Sequence, residues 1–174
     1  MIPGAPLPWV PTAASTSSVN VALAANGASA AASSQLSANF PPSSAINGSR
    51  TAAGWGSGSG GWACGTPNTW PDWLEVTFAE SSSIQTINVI GIPDNFGDAP
   101  EPTLSMVATE FPLTDFVVEY WDGSAWATVP GGNVTGNDKV WRQFTFIPIT
   151  TTKIRVYITA GYAYSIICEL EAWT

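Results

Sequence analysis

Histidine is absent from the 174 residues of this chain. That removes the commonest general base and the commonest metal ligand at neutral pH. Basic residues are scarce too: five Lys and Arg stand against 13 Asp and Glu, a formal net charge of −8. The five, Arg50, Lys139, Arg142, Lys153 and Arg155, form no cluster in sequence. With no basic patch to displace counterions from phosphates, nucleic acid is a poor partner, and so is an anionic membrane. Only two cysteines are present, Cys64 and Cys168, too far apart for a CxxC zinc or redox motif. Either they form a disulfide in an oxidising compartment, or they are two thiols behaving as small hydrophobes. No apolar run reaches the ~20 residues of a membrane helix. Residues 1–9 lack a cationic start and a continuous apolar stretch, so they do not read as a secretory signal. On this reading any signal has been removed, or the protein leaves its cell by another route.

What is present is apolar and finely punctuated. Hydrophobic residues make up 45% of the chain and charged ones 10%, with 16 Gly and 14 Pro spread between the apolar runs. Such a composition predicts one globular domain with a surface of Ser, Thr, Asn and Gly. Residues 1–18 carry Pro3, Pro6, Pro8 and Pro11 and read as an extended arm. That arm is either a loose tail or a docking segment anchored by Trp9. The domain proper is expected to span 19–174.

Residues 19–23 suggest a first strand and residues 28–36 a short helical turn. Residues 54–65 form a glycine-rich loop with Trp55 and Trp62, but lack the lysine of a phosphate loop. From Trp73 the alternation is plain: Leu74, Val76 and Phe78 share one face, and 84–92 is a β-branched run. Phe116, Val118 and Tyr120 alternate with their neighbours, and Asp122-Gly123 opens a tight hairpin turn before the return run at 125–129. Phe144 and Phe146, then Ile154, Val156 and Ile158, repeat the pattern, and 165–173 closes the chain. Many short strands and no long helix predict an all-β, antiparallel β-sandwich of jelly-roll type. The stretch 93–114 is long for a hairpin connection, and long loops in compact domains are commonly functional.

The order of these pieces resembles the discoidin, or coagulation factor 5/8 type C, domains and the related family 32 carbohydrate-binding modules of the galactose-binding-like superfamily. Asn20-Val21-Ala22 looks like their opening strand, and Pro41-Pro42-Ser43-Ser44-Ala45-Ile46-Asn47-Gly48 like their "P-x-x-A-x-D-G" segment. Thr51 to Trp55 is similar to "T-x-W", and Trp73-Leu74-Glu75-Val76-Thr77-Phe78 to "W-L-x-V-D-L". Tyr120-Trp121-Asp122-Gly123-Ser124-Ala125-Trp126, Lys153-Ile154-Arg155-Val156 and Ile167-Cys168-Glu169-Leu170-Glu171 follow in the family's order. The likeness covers roughly residues 19–174 and rests on seven weak motifs rather than one strong one.

The resemblance implies binding of a glycan, lipid or protein surface through loops at one end of the sandwich. It places the site at 94–98 and 161–164, with Asp94, Asn95, Phe96, Tyr162 and Tyr164 as ligand-binding residues and Trp62 walling the cleft. Flat aromatic faces beside amides and carboxylates suit sugars. Trp55, Trp73, Trp126 and Trp173 are expected in the core. The resemblance also implies a structural calcium ion held by Asn47, Thr51 and Glu169. The alternative makes Asn47-Gly48 a plain turn and pairs Glu169 with Arg50. Asn47 replaces the family's Asp, and the arginine often found after the "I-x-I" strand is missing. No triad or nucleophile motif supports catalysis. Two functions result: a carbohydrate-binding domain on the outside of a cell or particle, or an attachment protein of a phage-like virion that docks or oligomerises through its arm. Cell adhesion fits either.

Overall fold

The computed structural model describes residues 18–174. Residues 1–17, with Trp9 and nearly all of the expected arm, lie outside the described residues. Among the described residues eight strands carry the fold: β1 (Ser29–Ala32), β2 (Trp62–Ala63), β3 (Asp72–Ile90), β4 (Leu113–Trp121), β5 (Trp126–Val134), β6 (Trp141–Gly161), β7 (Ile166–Ile167) and β8 (Glu169–Trp173). Three short 3-10 segments complete the regular structure of the described residues, at Ala24–Asn26, Pro42–Ile46 and Phe96–Asp98.

Every strand pairing is antiparallel. The two longest strands belong to both layers of a sandwich. The first half of β3 pairs with β1 and with the second half of β6, which passes on to β4 and β5. The second half of β3 lies between β8 and the first half of β6. Register shifts between Thr77 and Ser82, and again between Ile84 and Thr86, mark the change of layer. One core receives Leu74, Val76, Phe116, Ile154 and Val156 from the first layer, and Ile87, Val89, Phe144 and Leu170 from the second. The period of two seen in the sequence puts these side chains inward and their neighbours outward.

The same period decides the tryptophans, against the expectation of a core role for four of them. Leu74 and Val76 are fully buried, so Trp73 must face out, where it pairs with Tyr157. Trp126 also faces out, beneath the Arg155 guanidinium at 4.5 Å from its ring centroid. Trp55 and Trp173 are half-buried. The tryptophan that is sealed is Trp62, whose indole N–H donates to the Ser34 carbonyl at 2.8 Å.

Two local expectations give way to tertiary pairing. Residues 29–32 form strand β1 rather than a helical turn, because the edge of β3 offers them a ladder from Leu74 to Thr77. Residues 19–23 contribute one bridge, Asn20 to Trp173, rather than a strand. The Asp122-Gly123 turn forms as read. The Asp122 carboxylate accepts the Ser124 and Ala125 N–H groups, and Gly123 takes φ 104°. Cys64 and Cys168 are both free and buried. No helix of the described residues is long and apolar enough to cross a membrane.

Candidate functional site

Three stretches meet at one end of the sandwich: the 36–63 segment, the loop between β3 and β4, and the loop between β6 and β7. Between them lies a cleft of about 160 Å³ lined by Phe40, Trp55, Phe96, Phe111 and Tyr164, over a floor that includes Ile92 and Ile166. The Trp55 ring sits 4.8 Å from Phe40 and 6.0 Å from Phe96, tilted by 59° and 58°. On the far side of Trp55 and Phe96 a second hollow, of about 210 Å³, opens against Ala52 to Trp55 and Phe96 to Ala99.

Each wall has a local cause. Phe96 begins the 3-10 turn Phe96–Asp98, which Ala99 closes by donating its N–H to the Phe96 carbonyl at 3.0 Å. The Asp94 carboxylate accepts the Thr109 N–H and hydroxyl, both at 2.8 Å, and the Glu110 N–H at 3.0 Å. That clamp joins the two ends of the long loop and sets Phe96 and Phe111 at the same mouth. Hydrogen bonds from the Glu110 and Thr109 amides hold the Asp94 carboxyl below its ordinary range. Trp55 donates its N–H to the Ala52 carbonyl at 3.0 Å. Its backbone lies so close to Gly60 that a Cβ there would overlap it. Asn68 donates its N–H to the Ala163 carbonyl at 2.6 Å, fixing the loop that presents Tyr164.

The structure thus brings Phe96 and Tyr164 together, and surrounds them with residues the sequence reading did not choose. Phe40, Trp55 and Phe111 complete the aromatic wall. Phe111 sits in the long loop whose length was the signal for function. Trp55 follows the family's "T-x-W" approach, but the expectation of a core role hid it. Asn95 and Tyr162 are exposed and do not line the cleft. Asp94 braces the loop. Trp62 is corrected: fully buried in β2, it has no face to offer as a cleft wall.

Beyond the second hollow the 48–51 loop borders a wide polar cleft of about 520 Å³, with Asn20, Glu101, Glu171 and Trp173 among its other walls. Arg50 lies on its floor in a two-point ion pair with Glu171, at 2.6 and 2.7 Å, and its guanidinium stacks 4.6 Å from the Trp141 ring. Glu171 also accepts from Asn88 and from the Trp173 indole. Burial alone would raise the Glu171 carboxyl, but bonds from Arg50, Trp173 and Asn88 outweigh it and hold the group below its ordinary range. Arg50 therefore pairs with Glu171, not with Glu169.

Glu169 stands differently. It is fully buried; Oε1 accepts the Gly48 N–H at 2.9 Å, while Oε2 has no partner. Burial pushes its carboxyl up to about 8, opposed by the Gly48 amide and reinforced by Glu171. An orphaned buried oxygen beside a loop of carbonyls and hydroxyls fits a hard cation. Asn47 fits less well: its Oδ1 already accepts the Ser49 N–H at 2.8 Å and its amide donates to the Ser59 carbonyl at 2.8 Å. Thr51 lies 3.4 Å, hydroxyl to hydroxyl, from Ser49. Among the described residues no group of three or more Cys, Asp or Glu side chains is placed to hold a metal. Any ion here would lean on Glu169 and on neutral oxygens.

No family model and no curated protein sequence matches the chain. Solved structures do. The family 32 carbohydrate-binding module of C. perfringens NanJ, in complex with galactose, is 18% identical over 90% of this chain and 99% of that one, with a TM-score of 0.61. The fold is an antiparallel β-sandwich like that of these solved carbohydrate-binding modules. A fucose-binding module of Streptococcus pneumoniae shares this sandwich at TM-score 0.65, with 18% identity over 89% of this chain and 94% of that one. Chitosan-binding module 2 of a chitosanase/glucanase from Paenibacillus sp. IK-5, in complex with chitotriose, shares it at TM-score 0.63, with 20% identity over 89% and 100%.

Proposed function

We propose that this chain is a non-catalytic carbohydrate-recognition domain whose ligand seats on the aromatic cleft. The observation that carries the reading is the gathering of Trp55, Phe96, Phe111 and Tyr164 at one loop end, around space left open. Sugar rings present an apolar C–H face and a polar rim, so aromatic side chains stack on the first while loop amides and hydroxyls meet the second. The neighbouring structures with this sandwich hold galactose and chitotriose or are described as fucose-binding. The cleft wall carries no carboxylate, and the Asp94 oxygens are both occupied, so no acid–base pair stands ready for hydrolysis.

Charge narrows the ligand. No Lys or Arg occurs between Arg50 and Lys139, while Asp94, Asp98, Glu101 and Glu110 all lie in the long loop. Neutral or amino sugars suit such a rim, and sialylated or uronic ones do not. Ligands of this kind are displayed outside cells, which supports reading the domain as one that works at an extracellular or particle surface. Attachment to a virion through the arm is the alternative reading; deleting residues 1–18 and finding particle binding or oligomerisation unchanged would remove it. Calcium, held by Glu169 with oxygens of the 47–51 loop, acts in this proposal as a structural brace. The test of the main reading is a glycan array followed by calorimetry. Binding to at least one neutral or amino sugar at millimolar strength or better is expected; silence across both classes overturns it.

A further inference from the structure

The aromatic cleft does not stand alone. Two segments, 48–55 and 96–101, run along its outer side and line three hollows in succession. Trp55 and Phe96 are shared by the aromatic cleft and the middle hollow. Ala52 to Trp55 and Phe96 to Ala99 enclose the middle hollow, and the next residues along the same two segments, Gly48 to Thr51 and Glu101, border the polar cleft. The hollows measure about 160, 210 and 520 Å³. Both segments turn at a left-handed alanine beside the middle hollow, Ala52 at φ 55° and Ala99 at φ 48°. Non-glycine residues enter that region at a cost and are held there by their surroundings.

The chemistry changes along this line. One end is aromatic. The middle is walled by small residues, Ala52, Ala53, Gly54, Gly97 and Ala99, beside the edges of Trp55 and Phe96. The far end is polar and wide, with the Ser49 and Thr51 hydroxyls, the Glu101 carboxylate and the Trp173 indole around a floor of Arg50 and Glu171. That floor is already organised by the Arg50–Glu171 pair and its bonds to Asn88 and Trp173, so a ligand would meet fixed groups rather than order them. Two carboxylates against one guanidinium leave this end with a net negative charge, which disfavours an acidic ligand.

Resting on the carbohydrate reading above, we infer that the three hollows form one groove and that the ligand is a linear oligosaccharide of neutral or amino sugars, about three units long. One sugar stacks at the aromatic end. The chain crosses the middle hollow, where small side chains leave room, and its last unit hydrogen-bonds at the polar end. Linking the contacts through one chain makes each further sugar an intramolecular event, so affinity rises with length.

The experiment titrates the protein with glucosamine and with chitotriose, while NMR follows the indole N–H signals of Trp55 and Trp173. The groove predicts that chitotriose shifts both signals, that glucosamine shifts Trp55 alone, and that the trisaccharide binds roughly tenfold tighter or more. Ala53→Trp, at an exposed position, should fill the middle hollow. The trisaccharide should then lose its advantage over glucosamine while Trp55 still responds. Glu101→Gln, also at an exposed position, should weaken chitotriose several-fold more than it weakens glucosamine. A shift of Trp55 alone, with equal affinities for the two sugars, overturns the groove and leaves a single-sugar cleft standing. Silence of both signals overturns the groove as stated, and a silent glycan array beside it overturns carbohydrate recognition itself.

Discussion

Glu169 is a buried carboxyl with one oxygen unpartnered and its pKa pushed up to about 8. Its ordinary value is 4.5, so the folded state holds this proton more tightly than the unfolded chain does. The resulting contribution to stability is full below about pH 4.5, declines as pH rises through the window up to about 8, and is gone above it. Without cation, the melting temperature should therefore fall as pH is raised across that window. A calcium ion at Oε2 competes with the proton, so its stabilising effect should grow over the same range, by mass action on the folded state. Melting curves with calcium and with chelator, at pH 6 and pH 8, check this. Identical curves in both would leave Asn47, Thr51 and Glu169 as turn and core residues. Glu169→Gln should abolish both the pH slope and any response to calcium. Asp94 and Glu171, whose pKa values are lowered, act with the opposite sign: they add stability at neutral pH that is lost as pH falls through the acid range.

At the scale of elements, the long loop between β3 and β4 is held at the mouth by one side chain. Asp94→Ala removes the bonds to Thr109 and Glu110 that join its two ends. Sugar affinity should drop by about tenfold while stability changes by only about 1 kcal/mol, since the bonds lie at an exposed site. Calorimetry beside thermal melting separates the two. Strand β3 behaves oppositely. Leu74→Ala, fully buried between β1 and β6, should cost about 2–5 kcal/mol in denaturant unfolding, and binding per folded molecule should not change. These two elements also show what a single sequence makes legible. Alternation in 73–78 announced strand β3 and its inward face because the period of two is a local property. The outward place of Trp73 and Trp126 follows from the same alternation, yet bulk and hydrophobicity argued for a core role. Strand β1 was hidden, since Ser29, Ala30, Ala31 and Ala32 have little intrinsic preference and take their form from the β3 edge. The fully buried place of Trp62 depends on contacts with Ser34 and the last strands that no local pattern encodes.

Across the whole molecule, the sandwich core is joined by a second buried cluster against which Phe40, Trp55, Phe96, Phe111 and Tyr164 pack, and the loops are left to carry recognition. Part of the candidate cleft was legible: of the six residues expected at a site, Phe96 and Tyr164 line it, from the 94–98 and 161–164 loops. Phe40, Trp55 and Phe111 come from three separate stretches, and only the folded chain brings them to one mouth. The net charge of −8 gives a further expectation. Binding of chitotriose should weaken as salt rises from about 0.05 M to 1 M, because exposed carboxylates attract its amines through a field that shortens with ionic strength. Binding of an uncharged sugar should hardly change.

In the proposed sugar site Trp55 and Phe96 form the stacking face. Calorimetry of the wild-type protein and of the Trp55→Ala/Phe96→Ala double variant, against the best sugar from a glycan array, tests it most directly. The wild type should bind at about −4 to −8 kcal/mol, millimolar to micromolar, as a shallow open cleft allows. The double variant should give no measurable heat, its folding checked by an unchanged circular dichroism spectrum and a cooperative melt. A folded double variant that binds the same sugar with unchanged affinity would contradict it.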